Sequence, residues 1–294
     1  MIFAVVGPTC SGKSSLAIEI AKFYDAEIIN FDPYQCYEEL QIGVAKPTKE
    51  ELAIVPHNLF SFVPLDKDFT IFDFQKIFRE TLKSLQNLNK NVILVGGSGL
   101  YLRSAIYDYE FSETKTVDET KYDSFTNEEL YEKLKLVDPE SCEKIHLNNR
   151  KRVIRALEIF NETGTKKSEL ESTQQHKPIY DITYIGLNPD RELLYQNINK
   201  RVDIMFENGL EEEVNTLFSK YDPSLKSLQA IGYKEFTQVP KEEVRELIKK
   251  NTRNYAKRQM TFFKNQFENI NWFSTKEDAL NYVKELKKWL IPEP

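Results

Sequence analysis

GPTCSGKS, residues 7–14, fits the phosphate-binding loop pattern G-x-x-x-x-G-K-[ST] and decides the fold of this chain. The apolar run Ile2–Val6 before it predicts a buried strand, and Ser15–Phe23 after it carries apolar residues at helical spacing. A glycine-rich loop between a strand and a helix turns its backbone N–H groups toward an anion. We expect Lys13 to bridge phosphate oxygens and the Ser14 hydroxyl to bind Mg²⁺. The loop predicts a diphosphate site, but it does not identify the molecule that carries the diphosphate.

Strand and helix patterns alternate along the rest of the chain. The other predicted strands are Ala26–Phe31, Asn58–Val63, Asn91–Val95 and Ile182–Leu187. The predicted helices are Phe69–Leu88, one that Asn148 caps and that ends at Gly164, one from Asp190 through Phe206, one through Phe218, and a long one at Glu242–Phe267. Continuously apolar strands are typical of a parallel sheet that helices cover on both faces. The sequence therefore predicts an α/β fold, a P-loop NTPase-like parallel sheet flanked by helices, with a helical C-terminal part.

The segment 108–143 differs from the rest in composition. It is rich in Asp, Glu, Thr and Ser and has one amphipathic stretch, Glu128–Val137. We predict a small helical insertion there, with 1–107 and 144–294 forming the α/β core.

Composition excludes several classes of protein. The chain has 294 residues, of which 40% are hydrophobic and 29% charged, as in an ordinary globular protein. Its apolar runs are too short to span a membrane, and the first strand starts without a signal peptide, so we expect a cytoplasmic protein. We also expect the protein to be a monomer. Its three cysteines form no CxxC pair, which argues against a zinc site.

Two further loops follow predicted strands at the same edge of the sheet. Asp32 comes directly after the second strand, and the glycine-rich stretch 96–101 (GGSGLY) follows the Asn91–Val95 strand. Because ligands of open parallel sheets bind beyond the carboxyl ends of the strands, we expect both loops to face the P-loop. Tyr34, Gln35 and Tyr37 offer stacking faces and an amide there. An Asp-Pro turn and an ordinary strand-to-helix turn remain the simpler alternatives.

Two basic segments stand out in a chain whose net charge is −6. Lys144–Arg155 and Lys249–Lys264 contain several Lys and Arg residues and no acid. In a helix, Lys250, Arg253 and Lys257 fall near one face. Such faces favour a phosphate backbone as partner, although each segment alone is also typical of a solvated helix.

These segments together resemble the tRNA dimethylallyltransferases, also called tRNA isopentenyltransferases, over nearly the whole chain. The resemblance is carried by GPTCSGKS (7–14), INFDPYQCYEELQIGVAKPT (29–48), VPHNLF (55–60), ILVGGSGLYL (93–102), RALEIFNETG (155–164), IGLNPDRELLYQNINKRVDIMFENGLEEEV (185–214), AIGYKEF (230–236) and NTRNYAKRQMTFFKNQ (251–266).

The resemblance implies transfer of a dimethylallyl group from dimethylallyl diphosphate to a tRNA. The acceptor would be the exocyclic amine of the adenosine immediately 3′ of the anticodon. The ATP-binding type of loop would then hold the prenyl diphosphate with Mg²⁺, and no ATP would be consumed. The implied diphosphate-binding residues are Gly7, Pro8, Thr9, Cys10, Ser11, Gly12, Lys13 and Ser14, with Ser14 as the metal ligand.

The resemblance also implies roles outside the P-loop. Asp32 matches the catalytic aspartate, Ser98 matches a threonine near the reacting centre, and Arg201 would stabilise the leaving diphosphate. The insertion would contact the anticodon stem-loop. The implied tRNA-binding residues are Asp32, Pro33, Tyr34, Gln35, Tyr37, Ser98, Tyr101, Lys151, Arg152, Val153, Ile154, Arg155, Arg253 and Lys257.

The chain departs from the family pattern at one point, and two rival functions stay open. Relatives usually have Asp-Ser where Asp32-Pro33 stands, and often arginine at the position of Tyr34, which affects base recognition. One rival is a small-molecule kinase that uses ATP, with Asp32 as base to a hydroxyl. The other is a non-catalytic, GTPase-like RNA-binding protein, against which the absence of an N-K-x-D motif argues.

Overall fold

The chain folds into two compact units in a computed structural model that describes residues 1–109, 119–172 and 177–290. One unit joins Met1–Ile106 to the chain from Tyr180 onward, and the other is Tyr107–Ile179. Residues 110–118 of the predicted insertion lie outside the described residues.

A parallel sheet of six strands lies at the centre of the first unit. Its strands are β1 (Ile2–Val6), β2 (Ala26–Asn30), β3 (His57–Asn58), β4 (Asn91–Val95), β5 (Thr183–Leu187) and β6 (Asn271–Phe273). They lie in the order β3-β2-β4-β1-β5-β6, and every neighbouring pair is parallel. The parallel α/β class predicted from the sequence is confirmed.

Helices account for most of the remaining described chain. In chain order they are α1 (Lys13–Tyr24), α2 (Lys49–Ile54), α3 (Ile71–Asn87), α4 (Gly99–Ile106), α5 (Asn127–Val137), α6 (Pro139–Lys144), α7 (Arg150–Thr163), α8 (Lys167–Ser172), α9 (Arg191–Glu207), α10 (Leu210–Lys220), α11 (Lys241–Gln266) and α12 (Lys276–Leu290). Helices α5 to α8 belong to the second unit, and the others belong to the first.

The central strands of the sheet are mostly apolar, as a parallel sheet covered on both faces requires. Phe3, Val5 and Ile28 belong to a core cluster that α1 and α12 complete from one side. The intervening residues Ala4 and Ile29 are fully buried as well, and α3 packs against β4. Buried side chains therefore lie on both faces of the sheet.

Some predicted elements have different bounds in the structure. The strand expected at Asn58–Val63 stops at Asn58, since Leu59 and Ser61 adopt positive φ angles of 65° and 50° that no strand accommodates. The cap of α7 is Asn149 rather than Asn148, and the helix ends at Gly164 as predicted. β6 and α12 were not predicted.

The second unit is a helical cluster that extends to Ile179, beyond the predicted end of the insertion at 143. Leu130 of α5 and Val153 of α7 share one apolar core, so α7 belongs with the insertion. The buried Asp138 carboxylate accepts hydrogen bonds from Ser168, which ties α8 to the start of α6. These contacts are long-range, and the change in composition alone did not reveal them.

Among the helices described, none is both long and apolar enough to cross a membrane.

Candidate active site

Three loops meet at the carboxyl edge of the sheet because of the order of its strands. β4 lies between β1 and β2, so the loop at 96–98 lies between the P-loop and the loop that begins at Asp32. A cavity of about 750 Å³ opens there, and all three loops line it. The crevice expected from the sequence is therefore present.

The P-loop is shaped by two glycines that no other residue replaces easily. Gly7 has φ 137°, and a Cβ there would lie 2.5 Å from the carbonyl oxygen of Leu187. Gly12 has φ 91° and caps the N-terminus of α1. The turn between them directs backbone N–H groups and the positive end of α1 to one point.

Lys13 lies over this loop and is 8% exposed. Its Nζ donates a hydrogen bond to the carbonyl oxygen of Pro8 at 2.6 Å. Burial lowers the pKa of Lys13 to about 8, while Cys10 raises it and the nearby Arg201 lowers it further. A diphosphate that reached Lys13 would replace the carbonyl with a charged partner and restore a high pKa.

Arg201 reaches the P-loop from α9. Its Nη1 lies 3.0 Å from Thr9 Oγ1 and 3.5 Å from Cys10 Sγ. Two cations, Lys13 and Arg201, therefore meet at a loop whose amides already favour an anion. Ser11 Oγ is buried in the same loop and has no hydrogen-bond partner among the described residues.

Asp32 caps a short 3₁₀ helix, Pro33–Cys36, that follows β2. Its Oδ1 accepts a hydrogen bond from the Tyr34 N–H at 3.1 Å, and its own N–H donates to Asn30 Oδ1 at 2.8 Å. Pro33 occupies the first turn, where no N–H is needed and its fixed φ suits the helix. The departure at Pro33 thus agrees with the local backbone and leaves the Asp32 cap intact.

The second oxygen of Asp32 faces the glycine-rich loop. A Cβ on Gly97 would lie 3.1 Å from Asp32 Oδ2. Burial raises the pKa of the Asp32 carboxyl, while the Tyr34 N–H, Lys13 and Arg201 limit the rise. One carboxylate oxygen is therefore held by the backbone, and the other is turned toward the cavity with increased basicity.

The chain as a whole matches a known protein family. A sequence model of the IPP transferase family matches residues 35–266. The chain belongs to the IPP transferase family. As a member of that family it is a transferase.

Individual members of the family agree with this assignment. A tRNA dimethylallyltransferase of Bacillus pumilus is 42% identical over 283 residues, which cover 92% of this chain and 89% of the relative. The crystal structure of a tRNA isopentenylpyrophosphate transferase from Staphylococcus epidermidis superposes with a TM-score of 0.71 at 38% identity and covers 98% of each chain. A eukaryotic dimethylallyltransferase acting on tRNA gives a TM-score of 0.87 at 26% identity and covers all of this chain and 80% of its own.

The residues expected to hold an adenosine lie together in the cavity. The lining side chains of this group are Asp32, Pro33, Tyr34, Gln35, Tyr37, Ser98 and Tyr101. The Tyr37 side chain is 6% exposed, so it offers little surface for contact with a ligand. The Gln35 amide nitrogen donates to the carbonyl oxygens of Val44 and Ala45, each at 3.0 Å. These hydrogen bonds use the Gln35 amide nitrogen, so the Gln35 Oε1 atom can accept a hydrogen bond from a ligand.

Only some side chains of the basic segment 144–155 are exposed to solvent. Lys151 and Arg152 are exposed and Arg155 is half-buried. Val153 and Ile154, which were also expected to contact tRNA, have side chains that are each 1% exposed and pack in the core of this unit. Their packing fixes which face of α7 is buried and leaves Lys151 and Arg152 on the exposed face.

The basic segment of α11 also divides between internal contacts and surface. Arg253 donates to Asn199 Oδ1 at 2.6 Å, so it braces α11 against α9. Lys257 is exposed. Arg258, which was not singled out from the sequence, lines the cavity, and its guanidinium carbon lies 5.7 Å from the centre of the Tyr255 ring.

Sequence reasoning also missed Gln259, the residue that joins two loops of the site. Its Oε1 accepts from the Thr9 N–H at 2.8 Å, and its Nε2 donates to the Gly97 carbonyl oxygen at 2.7 Å. The side chain is 4% exposed. A glutamine in a basic helix carries no local signal of such a contact.

Gln259→Met is expected to lower the free energy of unfolding by about 2 kcal/mol, because the Thr9 N–H would lose its hydrogen-bond partner, while the Gly97 carbonyl would keep the longer hydrogen bond from the Tyr255 hydroxyl at 3.3 Å. Urea unfolding measures the change. Gln86→Met is the matched control, since Gln86 is exposed at the end of α3, and it is expected to change stability by less than about 0.5 kcal/mol. Equal stability of the two variants would contradict a bridging role for Gln259.

Proposed function

We propose that this chain transfers a dimethylallyl group from dimethylallyl diphosphate to the exocyclic amine of the adenosine immediately 3′ of the anticodon of a tRNA, with release of diphosphate. Family membership supports the transferase class, and the names of the relatives indicate the substrates. The observation that carries the proposal is the position of Asp32 Oδ2, which faces the same cavity as Lys13 and Arg201 of the P-loop site.

Asp32 is the general base of the proposed reaction. The adenosine amine attacks the first carbon of the dimethylallyl group, so an N–C bond forms while the C–O bond to the diphosphate breaks. The amine proton passes to Asp32, and the diphosphate leaves with the electron pair of the broken bond. Since an exocyclic adenine amine is a weak nucleophile, removal of this proton by a positioned carboxylate accelerates the step.

The P-loop stabilises the leaving group. Negative charge grows on the diphosphate oxygens as the C–O bond breaks, and the loop amides, Lys13 and Arg201 lie where that charge is expected. These groups are held in place by the fold, so they need little rearrangement during the reaction.

The donor atoms of the P-loop fit Mg²⁺. Ser14 lies in the first turn of α1, is exposed and lines the cavity, which places a hard oxygen ligand beside the proposed diphosphate. The described residues contain no cluster of three or more His, Cys, Asp and Glu side chains that would hold a metal without the substrate. Such a site suits an ion bound mainly through phosphate oxygens, and Mg²⁺ there would supply neutralisation of the diphosphate charge.

The adenosine must leave its stack to reach Asp32. Tyr34 and Gln35 lie beside the carboxylate and offer a ring and an amide oxygen to a flipped base. The exposed cations Lys151, Arg152 and Lys257 are the proposed contacts to the phosphate backbone of the anticodon stem-loop.

The test is a transfer reaction with purified protein, Mg²⁺ and a tRNA that has adenosine immediately 3′ of its anticodon. One mixture contains dimethylallyl diphosphate and the other contains ATP. We expect the first mixture to give prenylated adenosine in the digested tRNA by mass spectrometry. An unchanged tRNA together with hydrolysis of ATP in the second mixture would replace the proposal with a kinase.

The value of kcat/KM for dimethylallyl diphosphate should decrease at both low and high pH. Asp32 must be ionised to accept the proton, so activity is lost as pH falls through its raised pKa. Lys13 must be protonated to bind the diphosphate, so activity is lost as pH rises above about 8. Initial rates at low donor concentration report these values for the free enzyme.

The Lys13→Arg variant is the control for the alkaline side. Arginine stays protonated throughout this range, so the fall above pH about 8 should disappear even if the maximum rate is lower. An unchanged alkaline limb in that variant would assign the limb to another group.

A further inference from the structure

The turn at residues 41–46 borders the cavity next to Gln35. Gly43, Val44 and Ala45 line the cavity, and Val44 and Ala45 give Gln35 the two carbonyl oxygens that its amide nitrogen contacts. The orientation of the Gln35 amide therefore depends on where this turn lies.

The turn is held from outside by a carboxylate on α10. Glu213 Oε2 accepts from the Ile42 N–H at 2.9 Å, and Glu213 Oε1 lies 3.3 Å from the Gln41 N–H and 3.5 Å from the Gly43 N–H. Three successive backbone donors thus converge on one carboxylate, which is an anion nest occupied by a side chain of the same molecule.

Tyr233 completes this anchor. Its hydroxyl donates to Glu213 Oε1 and accepts from the Gly43 N–H at 3.1 Å. The Tyr233 side chain is fully buried, and a Cβ on Gly43 would lie 2.4 Å from its ring. Because Gly43 has no side chain, the turn can pack directly against the Tyr233 ring. The Tyr233 hydroxyl then reaches both the Gly43 N–H and the Glu213 carboxylate.

The anchor is itself fixed to α11. The fully buried Glu235 accepts from the Gly232 N–H at 2.9 Å and from Asn251 Nδ2 at 2.7 Å. Tyr233 lies between Gly232 and Glu235 in sequence, so the segment that carries it is hydrogen-bonded to α11, the helix that also carries Gln259.

We propose that Glu213 and Tyr233 are positioning residues for recognition of the target adenosine, acting through the 41–46 turn on Gln35. This inference rests on the proposed function and adds to it the support that orients the base-recognising amide. Neither residue lines the cavity, so neither is expected to contact substrate. The hydrogen bonds that Glu213, Tyr233 and Glu235 form in the described part of the chain involve no residue of the P-loop.

The test compares steady-state transfer by Glu213→Gln and by the wild-type chain. Glutamine keeps the shape but loses the charge that three N–H groups share, and we expect kcat/KM for tRNA to fall about tenfold. The KM for dimethylallyl diphosphate should stay within about twofold, because the P-loop is unaffected. Glu212→Gln is the matched control: it removes the same charge from an exposed neighbour on α10 and should behave as wild type.

A double-mutant cycle separates positioning from general stabilisation. In a Gln35→Ala background the Glu213→Gln substitution should cost less than about twofold, since the group through which it acts is gone. The same tenfold loss in both backgrounds, or a parallel rise of the donor KM, would overturn the inference.

Tyr233→Phe provides a second variant if Glu213→Gln does not fold. It removes only the hydroxyl, and we expect a smaller fall in kcat/KM for tRNA with the same dependence on Gln35. A wild-type chain that transfers no prenyl group would reject the proposed function, whereas an active wild type matched by both anchor variants would reject this inference alone.

Discussion

Asp32→Asn is expected to lower kcat for prenyl transfer by about a thousandfold, within the range that a general base contributes. Asparagine keeps the Oδ1 that caps the Tyr34 N–H, so the 3₁₀ helix and the neighbouring Gln35 stay in place. It replaces Oδ2, the oxygen that faces Gly97 and the cavity, with an amide that cannot accept a proton. The loss should therefore fall on the chemical step.

Single-turnover rates with prebound tRNA measure that step directly. Binding of dimethylallyl diphosphate should change little, because the P-loop is untouched. Asp25→Asn is the matched control, since its side chain is exposed at the end of α1 and forms only a surface ion pair with Lys90 at 3.9 Å. A decrease of less than about tenfold in the Asp32 variant would mean that another group, or water, accepts the proton.

Lys13→Met is expected to lower kcat/KM for dimethylallyl diphosphate by about two to three orders of magnitude, as loss of one donor to a developing anion does in other enzymes. Methionine retains a buried apolar stem of similar length, so the packing of the 8%-exposed side chain is kept. The ammonium that contacts the Pro8 carbonyl, and that would contact the diphosphate, is removed.

Isothermal titration with inorganic pyrophosphate and Mg²⁺ measures the binding part of this loss. Lys22→Met is the control, because Lys22 is exposed on the same helix and distant in sequence from the loop. Unaltered pyrophosphate affinity in the Lys13 variant would show that the P-loop is not the diphosphate site.

The catalytic candidates were predictable because their signals are local. A strand, a glycine-rich turn and a helix occur together within residues 2–23, so the P-loop and the roles expected of Lys13 and Ser14 follow from adjacent residues. Asp32 was singled out for the same kind of reason, since residues just after parallel strands lie at the ligand-binding edge.

Residues that act through contacts distant in sequence were not predictable. Gln259 meets Thr9 across 250 residues, and Glu213 meets Gly43 across 170. Such contacts depend on which helix packs against which loop, and no local pattern of residues specifies that choice. Lys151, Arg152, Val153 and Ile154 were expected together as tRNA contacts, yet only the first two side chains are exposed.

The sequence by itself therefore determined the parallel α/β class, the glycine-rich loop between β1 and α1, and the position of Asp32 just after a strand. These properties depend on residue spacing and turn chemistry, which are local. Only the tertiary structure decided that β4 lies between β1 and β2, which brings Gly97 between the P-loop and Asp32. Strand order and helix docking arise from burial of apolar surface over the whole chain, so the meeting of the three loops could be established only in the folded molecule.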